Sequence, residues 1–310
     1  MSTRLPPFKS LEAFEAAGRL GSYKAAAAEL NVTPSAISHR ISALEKALGE
    51  TFFAPQGRGT TLTQAGRTYL GAVQRMFDQL RTATDRLKHK GVAGPLGVQV
   101  FSTILRGWLI PRLPRFTERH PEVELNLMTP QNPFDHPFQV RDLSVEYLRA
   151  PMSGVVCDLL CEDRIHAVCS PAYAARHGPF NSPADLAEAT LIHTMYRPDE
   201  WAFWQEVVRA EHGHQGRNMR VSTRNAAIDA AAAGLGFALV HWPVAEGLLR
   251  SGALVAPLDV PVETGHSFYL VSTPERAALP RVAAFREWML SEFARDAAGQ
   301  GDAAGEKRRV

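Results

Sequence analysis

The stretch from Ser22 to Leu48 constrains this chain most, because it spells two helices joined by a very short turn. Ser22 is a natural N-cap for residues 23–30, whose alanine run at 25–28 favours a helix and lets another helix cross at close range. Asn31 tolerates the left-handed conformation that ends a helix, and Val32 can tuck between the two helices. Thr33 then caps the next helix, with Pro34 at the first position, where a helix accepts it. Ile37, Ile41, Leu44 and Leu48 follow as an amphipathic stripe. Ser35, Ser38, His39, Arg40 and Ser42 lie largely off it. Small hydroxyls and a basic pair near a helix N-terminus suit entry into a DNA major groove, because they reach base edges without blocking approach.

The flanks agree. Phe8, Leu11, Phe14 and Ala17 recur every three residues on one face of a first helix, closed by Gly18 and Gly21. Past Gly49, Phe52-Phe53 and residues 60–63 read as short strands around Gln56-Gly57-Arg58-Gly59, a wing whose arginine suits a phosphate or the minor groove. The expected DNA-binding residues are Ser22, Lys24, Thr33, Pro34, Ser35, Ser38, His39 and Arg40, with Arg58 in the wing. Charge divides accordingly. Residues 1–90 hold 13 Lys/Arg against 7 Asp/Glu, and the remainder 21 against 25. A basic head on an acidic body suits a polyanionic partner.

The ordered elements S-Y-x-x-A-A, L-x-V-T-x-S-A-I-S-x-x-I-x-x-L-E, L-G-x-x-x-F and L-T-x-A-G resemble the DNA-binding head of LysR-type transcriptional regulators. The leading L-P-P-F-K-S-L-x-A-F-E-A-A is similar to the subgroup that includes the glycine-cleavage activator and the β-lactamase regulator. One departure stands out. The family usually carries a basic residue after the aromatic pair, and here Ala54-Pro55 follow, so that phosphate contact is either absent or supplied by Arg58.

Thr63 can cap a long helix to about His89, along which Leu70, Val73, Phe77, Leu80, Thr84 and Leu87 alternate spacings of three and four. That is a heptad seam, and a DNA reader of two-fold sites needs paired heads. Leu70, Val73, Phe77, Leu80 and Leu87 are therefore the expected dimerisation residues, although a helix lying on its own domain shows the same periodicity. The resemblance implies a homodimer or homotetramer. Gly91 to Pro95 reads as a hinge.

From Leu96 strands and helices alternate, which predicts open α/β sheets. Strands are expected at 96–101, 123–128, 142–147, 165–170, 219–222, 237–241, 254–258 and 268–272, with a last helix from Pro280 to about Phe293. The pieces W-L-I-P-R-L-x-R-F-x-x-x-H-P, V-C-S-P-A-Y, A-A-x-A-G-x-G-x-A-L and F-x-x-W-x-x-x-E resemble the family's effector-binding domain. That implies an α/β fold of two Rossmann-like lobes similar to periplasmic binding proteins. The expected division is a winged helix-turn-helix at 1–63, a linker helix at 64–90, an effector domain at 91–295 and a disordered tail at 296–310. Residues 129–153 are the least family-like.

Ligands of such sheets bind at strand carboxyl ends. Candidate effector contacts are Ser102 and Thr103, whose hydroxyls could hold an anionic group, then Tyr147, His193, Tyr196, Trp201 and Asn225. Each also has an ordinary explanation, as a cap, a core aromatic or a satisfied histidine. Cys157, Cys161 and Cys169 make no disulfide framework, and a redox role for Cys161 and Cys169 is not expected. No nucleophile elbow, phosphate loop or metal-spaced His/Cys set is present in the sequence, which argues against an enzyme, a cofactor or a metal. No segment reads as a secretory signal or membrane span, so a cytoplasmic location is expected. The expected partners are double-stranded DNA at a promoter palindrome, a small-molecule effector, a second copy of the chain and RNA polymerase, with no membrane.

Overall fold

A computed structural model describes residues 5–56, 59–88, 91–130, 141–210 and 214–307. The chain forms two compact units, Met1–Lys88 and His89–Val310.

In the first unit, α1 (Phe8–Leu20), α2 (Tyr23–Glu29) and α3 (Pro34–Leu48) pack around Phe14, Ile37, Ile41 and Leu44, all fully buried. The turn is built as its residues suggest. Ser22 Oγ accepts the Ala25 N–H at 3.3 Å, Asn31 adopts φ 52°, and Thr33 Oγ1 accepts the Ala36 N–H at 3.3 Å. The wing strands β1 (Phe53–Gln56) and β2 (Gly59–Leu62) pair antiparallel, with Gln56 opposite Gly59. Glu45 of α3 ties the wing down, its Oε1 accepting the Phe52 N–H at 2.7 Å and the Phe53 N–H at 3.2 Å. Thr63 caps the long α4 (Gln64–Lys88) at Gly66 N and donates to the Thr51 carbonyl at 2.7 Å. A Cβ at Gly66 would sit 2.3 Å from the Phe52 carbonyl oxygen, which explains the glycine beside this junction.

The second unit carries one eight-stranded sheet in the order β4-β3-β5-β10-β6-β9-β7-β8. Its strands are β3 (Gly94–Gln99), β4 (Val123–Met128), β5 (Leu143–Leu148), β6 (Val156–Val168), β7 (Leu191–Thr194), β8 (Asn218–Val221), β9 (Phe237–His241) and β10 (Val262–Ser272). β3 is parallel to β4 and β5, and β7 is parallel to β8 and β9. These are the two α/β lobes, and the long antiparallel pair β6 and β10 belongs to both. The far half of β10 pairs with β5, whereas Val262 and Glu263 face Ile165 and Arg164. A register shift lies between Glu263 and Ser267.

Four expected boundaries change, the first being the strand predicted at 268–272, which begins at Val262 ahead of the register shift between Glu263 and Ser267. The strand predicted at 165–170 begins at Val156, because Asp158, Glu162 and Asp163 interrupt the apolar pattern that would announce it. The strand predicted at 254–258 is a single bridge between Cys169 and Val255, since Pro257 has no N–H to continue a ladder. The last helix, α12 (Pro280–Lys307), does not stop near Phe293. No proline interrupts it there, and Asp296, expected to open a disordered tail, accepts from Trp108 Nε1 at 2.6 Å and from Arg112 at 2.9 Å.

Candidate functional sites

On α3 the buried stripe leaves Thr33, Pro34, Ser35, Ser38 and His39 exposed and Arg40 half-buried. Lys24 of α2 is exposed and Ser22 half-buried. Thr33 and Ser35 bond each other through their hydroxyls at 2.9 Å, outside the helix core. The helix entry is thus a rigid, small-featured, uncharged surface followed by one imidazole and one guanidinium. That is the shape and chemistry of a base-reading element. Arg58 lies outside the described residues.

The linker seam divides. Val73 and Phe77 are buried in the head's own core, and Phe77 packs edge-on against Phe8 at 5.2 Å. Leu70 packs on the same core, where its methyls would meet a Cβ at Gly18 at 2.9 Å. Val73 and Phe77, expected as dimer contacts, are instead buried in the head, and Leu70 is half-buried beside them, because one apolar stripe serves either surface. Leu80 and Leu87 remain 50% and 86% exposed. Leu80 and Thr84 border a groove of about 430 Å³ that also takes in Phe8, Glu12 and Leu30.

In the second unit the expected effector residues lie at or near strand carboxyl ends. Ser102 and Thr103 start α5 (Ser102–Ile104) just after β3, exposed and half-buried respectively, and the residue preceding α5 offers no side-chain cap. Asn225 is half-buried in the first turn of α9 (Arg224–Ala232), which follows β8. Tyr196 is exposed beyond β7. His193 is already engaged, its Nε2 lying 2.6 Å from Asn218 Oδ1, and burial pushes its pKa down. Trp201 is corrected outright. It is 3% exposed in α8 (Glu200–Val207), stacks edge-on with Trp204, and spends its Nε1 on the Ile192 carbonyl at 2.9 Å. It is a core residue.

Tyr147, near the carboxyl end of β5, opens onto a cluster that no sequence pattern disclosed. Its hydroxyl donates to Asp163 Oδ2 at 2.8 Å. The same oxygen accepts Thr264 Oγ1 at 2.9 Å and lies 2.7 Å from His241 Nδ1. His241 Nε2 reaches Glu200 Oε1 at 3.4 Å, and Arg224 grips both Glu200 oxygens at 2.8 Å. Residues from both lobes and from both shared strands therefore meet on one carboxylate. Asp163 is fully buried, and its Oδ1 has no hydrogen-bond partner among the described residues.

Each acid of the cluster faces a basic side chain. Burial and the Arg224 charge push the His241 imidazole down, but Asp163 and Glu200 outweigh them and its pKa is raised. Burial works to raise the Asp163 pKa, yet the His241 charge and three hydrogen bonds bring it below the usual carboxylate value. Glu200 is held low against burial by Arg224 and His241. Tyr147 is pushed up by burial and by the Asp163 charge. The only signal in the sequence was the run of acids at 162–163 inside a strand.

The cysteines are poor redox sensors. Burial raises the Cys161 thiol strongly, helped by Asp163 and Asp296, and pushes Cys169 up to about 12. Thiolate is the reactive form, and both surroundings disfavour it. About 26 Å of extended chain separates them, well beyond a disulfide's reach. Among the described residues no cluster of metal-ligating side chains occurs, and no helix is long and apolar enough to cross a membrane.

A winged helix-turn-helix followed by two α/β lobes sharing a pair of crossing strands defines a DNA-binding transcriptional regulator with an effector-binding domain. Comparison with known proteins makes this specific. Residues 8–67 match the bacterial regulatory helix-turn-helix protein, lysR family, and residues 89–294 match the LysR substrate binding domain. The chain belongs to the LysR family of transcriptional regulators. It is 32% identical over 294 residues to the glycine cleavage system transcriptional activator of Escherichia coli K12, covering 95% of this chain and 96% of that protein. It is 33% identical to the transcriptional activator AmpR of Pseudomonas aeruginosa, covering 95% and 98%. The solved effector domain of that AmpR aligns with a TM-score of 0.56 at 31% identity, over 67% of this chain and 99% of its own. ArgP of Mycobacterium tuberculosis shares the fold, with a TM-score of 0.68 at 22% identity over 94% of this chain and 98% of its own.

Proposed function

We propose that this regulator binds a promoter palindrome as a homo-oligomer and that a small molecule held between its lobes changes how the paired heads meet DNA. Residues 1–63 read the operator, 64–90 associate with a second copy, and 91–295 bind the effector. The observation that carries the reading is the division of α3, whose core side is sealed while Thr33, Pro34, Ser35, Ser38 and His39 face outward ahead of Arg40. Arg40 reads a base edge; Ser22, Lys24 and the wing Arg58 contact phosphates. Self-association runs through Leu80 and Leu87, the part of the linker stripe that the head leaves uncovered. The effector enters beside Ser102, Thr103, Tyr147 and Asn225. The protein acts in the cytoplasm, and RNA polymerase is the partner that turns occupancy into transcription.

Footprinting on the DNA upstream of the protein's own gene and its neighbours tests this. A symmetric pair of half-sites is expected, one or more helical turns apart. Arg40→Ala should weaken that complex by about 1–3 kcal/mol and relax base preference. Equal weakening on every sequence would move Arg40 to the phosphate contacts, and the absence of any protected site would sink the proposal.

A further inference from the structure

Two arginines from opposite lobes approach Tyr147, Arg197 directly over its ring and Arg149 through the His266 ring stacked on it. Arg149 follows the carboxyl end of β5, and its Nε donates to His266 Nε2 at 3.3 Å. His266 lies 4.8 Å from the Tyr147 ring with the planes only 8° apart. Its Nδ1 lies 3.1 Å from the Thr264 carbonyl, which can only accept, and Nε2 is left to accept from Arg149. Arg197 comes from the other lobe, three residues beyond β7. A turn fixes its backbone, with the Arg197 N–H on the Thr194 carbonyl at 3.3 Å and the Arg197 carbonyl accepting from Glu200 N at 3.3 Å. Its guanidinium stands 5.1 Å from the centre of the Tyr147 ring.

Among the described residues neither arginine has an acidic partner. The buried acids nearby are already matched, Asp163 by His241 and Glu200 by Arg224. Each buried acid thus has a basic side chain of its own, whereas the two guanidiniums have no acidic partner among the described residues. An opening at strand carboxyl ends lined by one sign of charge concentrates anions, and guanidinium forks suit carboxylate and phosphate geometry.

Resting on the effector-controlled reading above, we infer that the effector is a small anion whose carboxylate or phosphate oxygens are taken by Arg149 from one lobe and Arg197 from the other. Because each arginine belongs to a different lobe, such an anion joins the lobes as it binds. A neutral molecule gains nothing from either guanidinium, and a zwitterion such as glycine sets its ammonium against two cations.

The test uses the full chain with succinate, citrate and inorganic phosphate, each at about 10 mM against matched ionic strength, and glucose and glycine as neutral and zwitterionic probes, followed by thermal shift and calorimetry. At least one of the anions should raise the melting temperature. Arg149→Gln and Arg197→Gln should each weaken that anion roughly ten- to hundred-fold while both variants keep the wild-type melting temperature without ligand to within about 2 °C. Carboxylate against phosphate response tells the two sources apart. No response to any of the three anions overturns the inference, as does an anion that binds both variants like wild type. Glucose or glycine changing the DNA footprint in both variants as in wild type also overturns it, but leaves the effector-controlled regulator standing. Loss of that broader reading shows separately, as no footprint at all.

Discussion

Asp163→Asn is the substitution from which most can be learned. The Asp163 carboxylate is fully buried, takes three donors on one oxygen, and faces the imidazole of His241 at 2.7 Å. Neutralising it strands a buried His241 that has Arg224 beside it and only Glu200, at 3.4 Å, as a counter-charge. Breaking one member of a buried pair costs about 3–5 kcal/mol, and the lower end applies because an amide oxygen can still accept two of the donors. For a unit of this size, about 3 kcal/mol lowers the melting temperature by roughly 6–12 °C. The pH dependence is the sharper readout. His241 has a raised pKa, so its contribution is complete below about 6.5 and is lost as pH rises through the folded value. Asp163 has a lowered pKa, so its contribution is present above about 3.8 and is lost as pH falls through its folded value. Wild type should therefore melt lower at pH 8.5 than at pH 6, and Asp163→Asn should flatten that alkaline slope. Calorimetry on both proteins across pH 5–9 measures it. A variant that melts within about 1 °C of wild type and keeps the full alkaline slope would refute the assignment of His241 to this carboxylate.

Gly66→Ala forces a methyl to 2.3 Å from the Phe52 carbonyl, so the head should lose about 1–3 kcal/mol in denaturant melts of the full chain. Leu80→Asp with Leu87→Asp should dissociate the oligomer in sedimentation without lowering the head's melting temperature, because both side chains are exposed. Phe77→Ala should do the opposite, destabilising the head by about 3–5 kcal/mol as a buried aromatic lost from its core. Alkylation of Cys161 and Cys169 at pH 7.5 should be slower than that of an unfolded control, and rapid labelling of either native thiol would contradict their raised pKa values.

The head was legible because its determinants are local. Ser22, Asn31, Thr33 and Pro34 each act on atoms within a few positions, so composition and spacing are enough to place them. The linker was half legible, since a stripe at spacings of three and four is the same whether α1 or a second chain covers it. In the body, α/β alternation revealed the lobes and put Ser102, Thr103 and Asn225 near strand ends. The Asp163 cluster was hidden for a different reason. His241 and Thr264 lie 78 and 101 positions from Asp163, and a contact of that span leaves no periodicity behind. Trp201 was misjudged because an aromatic after a strand reads alike whether it lines an opening or fills a core.

The crossing pair β6 and β10 makes the second lobe an excursion in the chain. The polypeptide leaves the first lobe on one rail and returns on the adjacent one, with both ends of the body, β3 and α12, left in the first lobe. The second lobe can therefore be exchanged like a cassette, through two splice points lying side by side, without disturbing the end that joins the linker. The same ribbon is broken in register at two places, between Glu263 and Ser267 and between Phe268 and Tyr269, and such irregularities are where a strand pair bends most readily. His266, the residue against which Arg149 rests, lies within the first of these shifts.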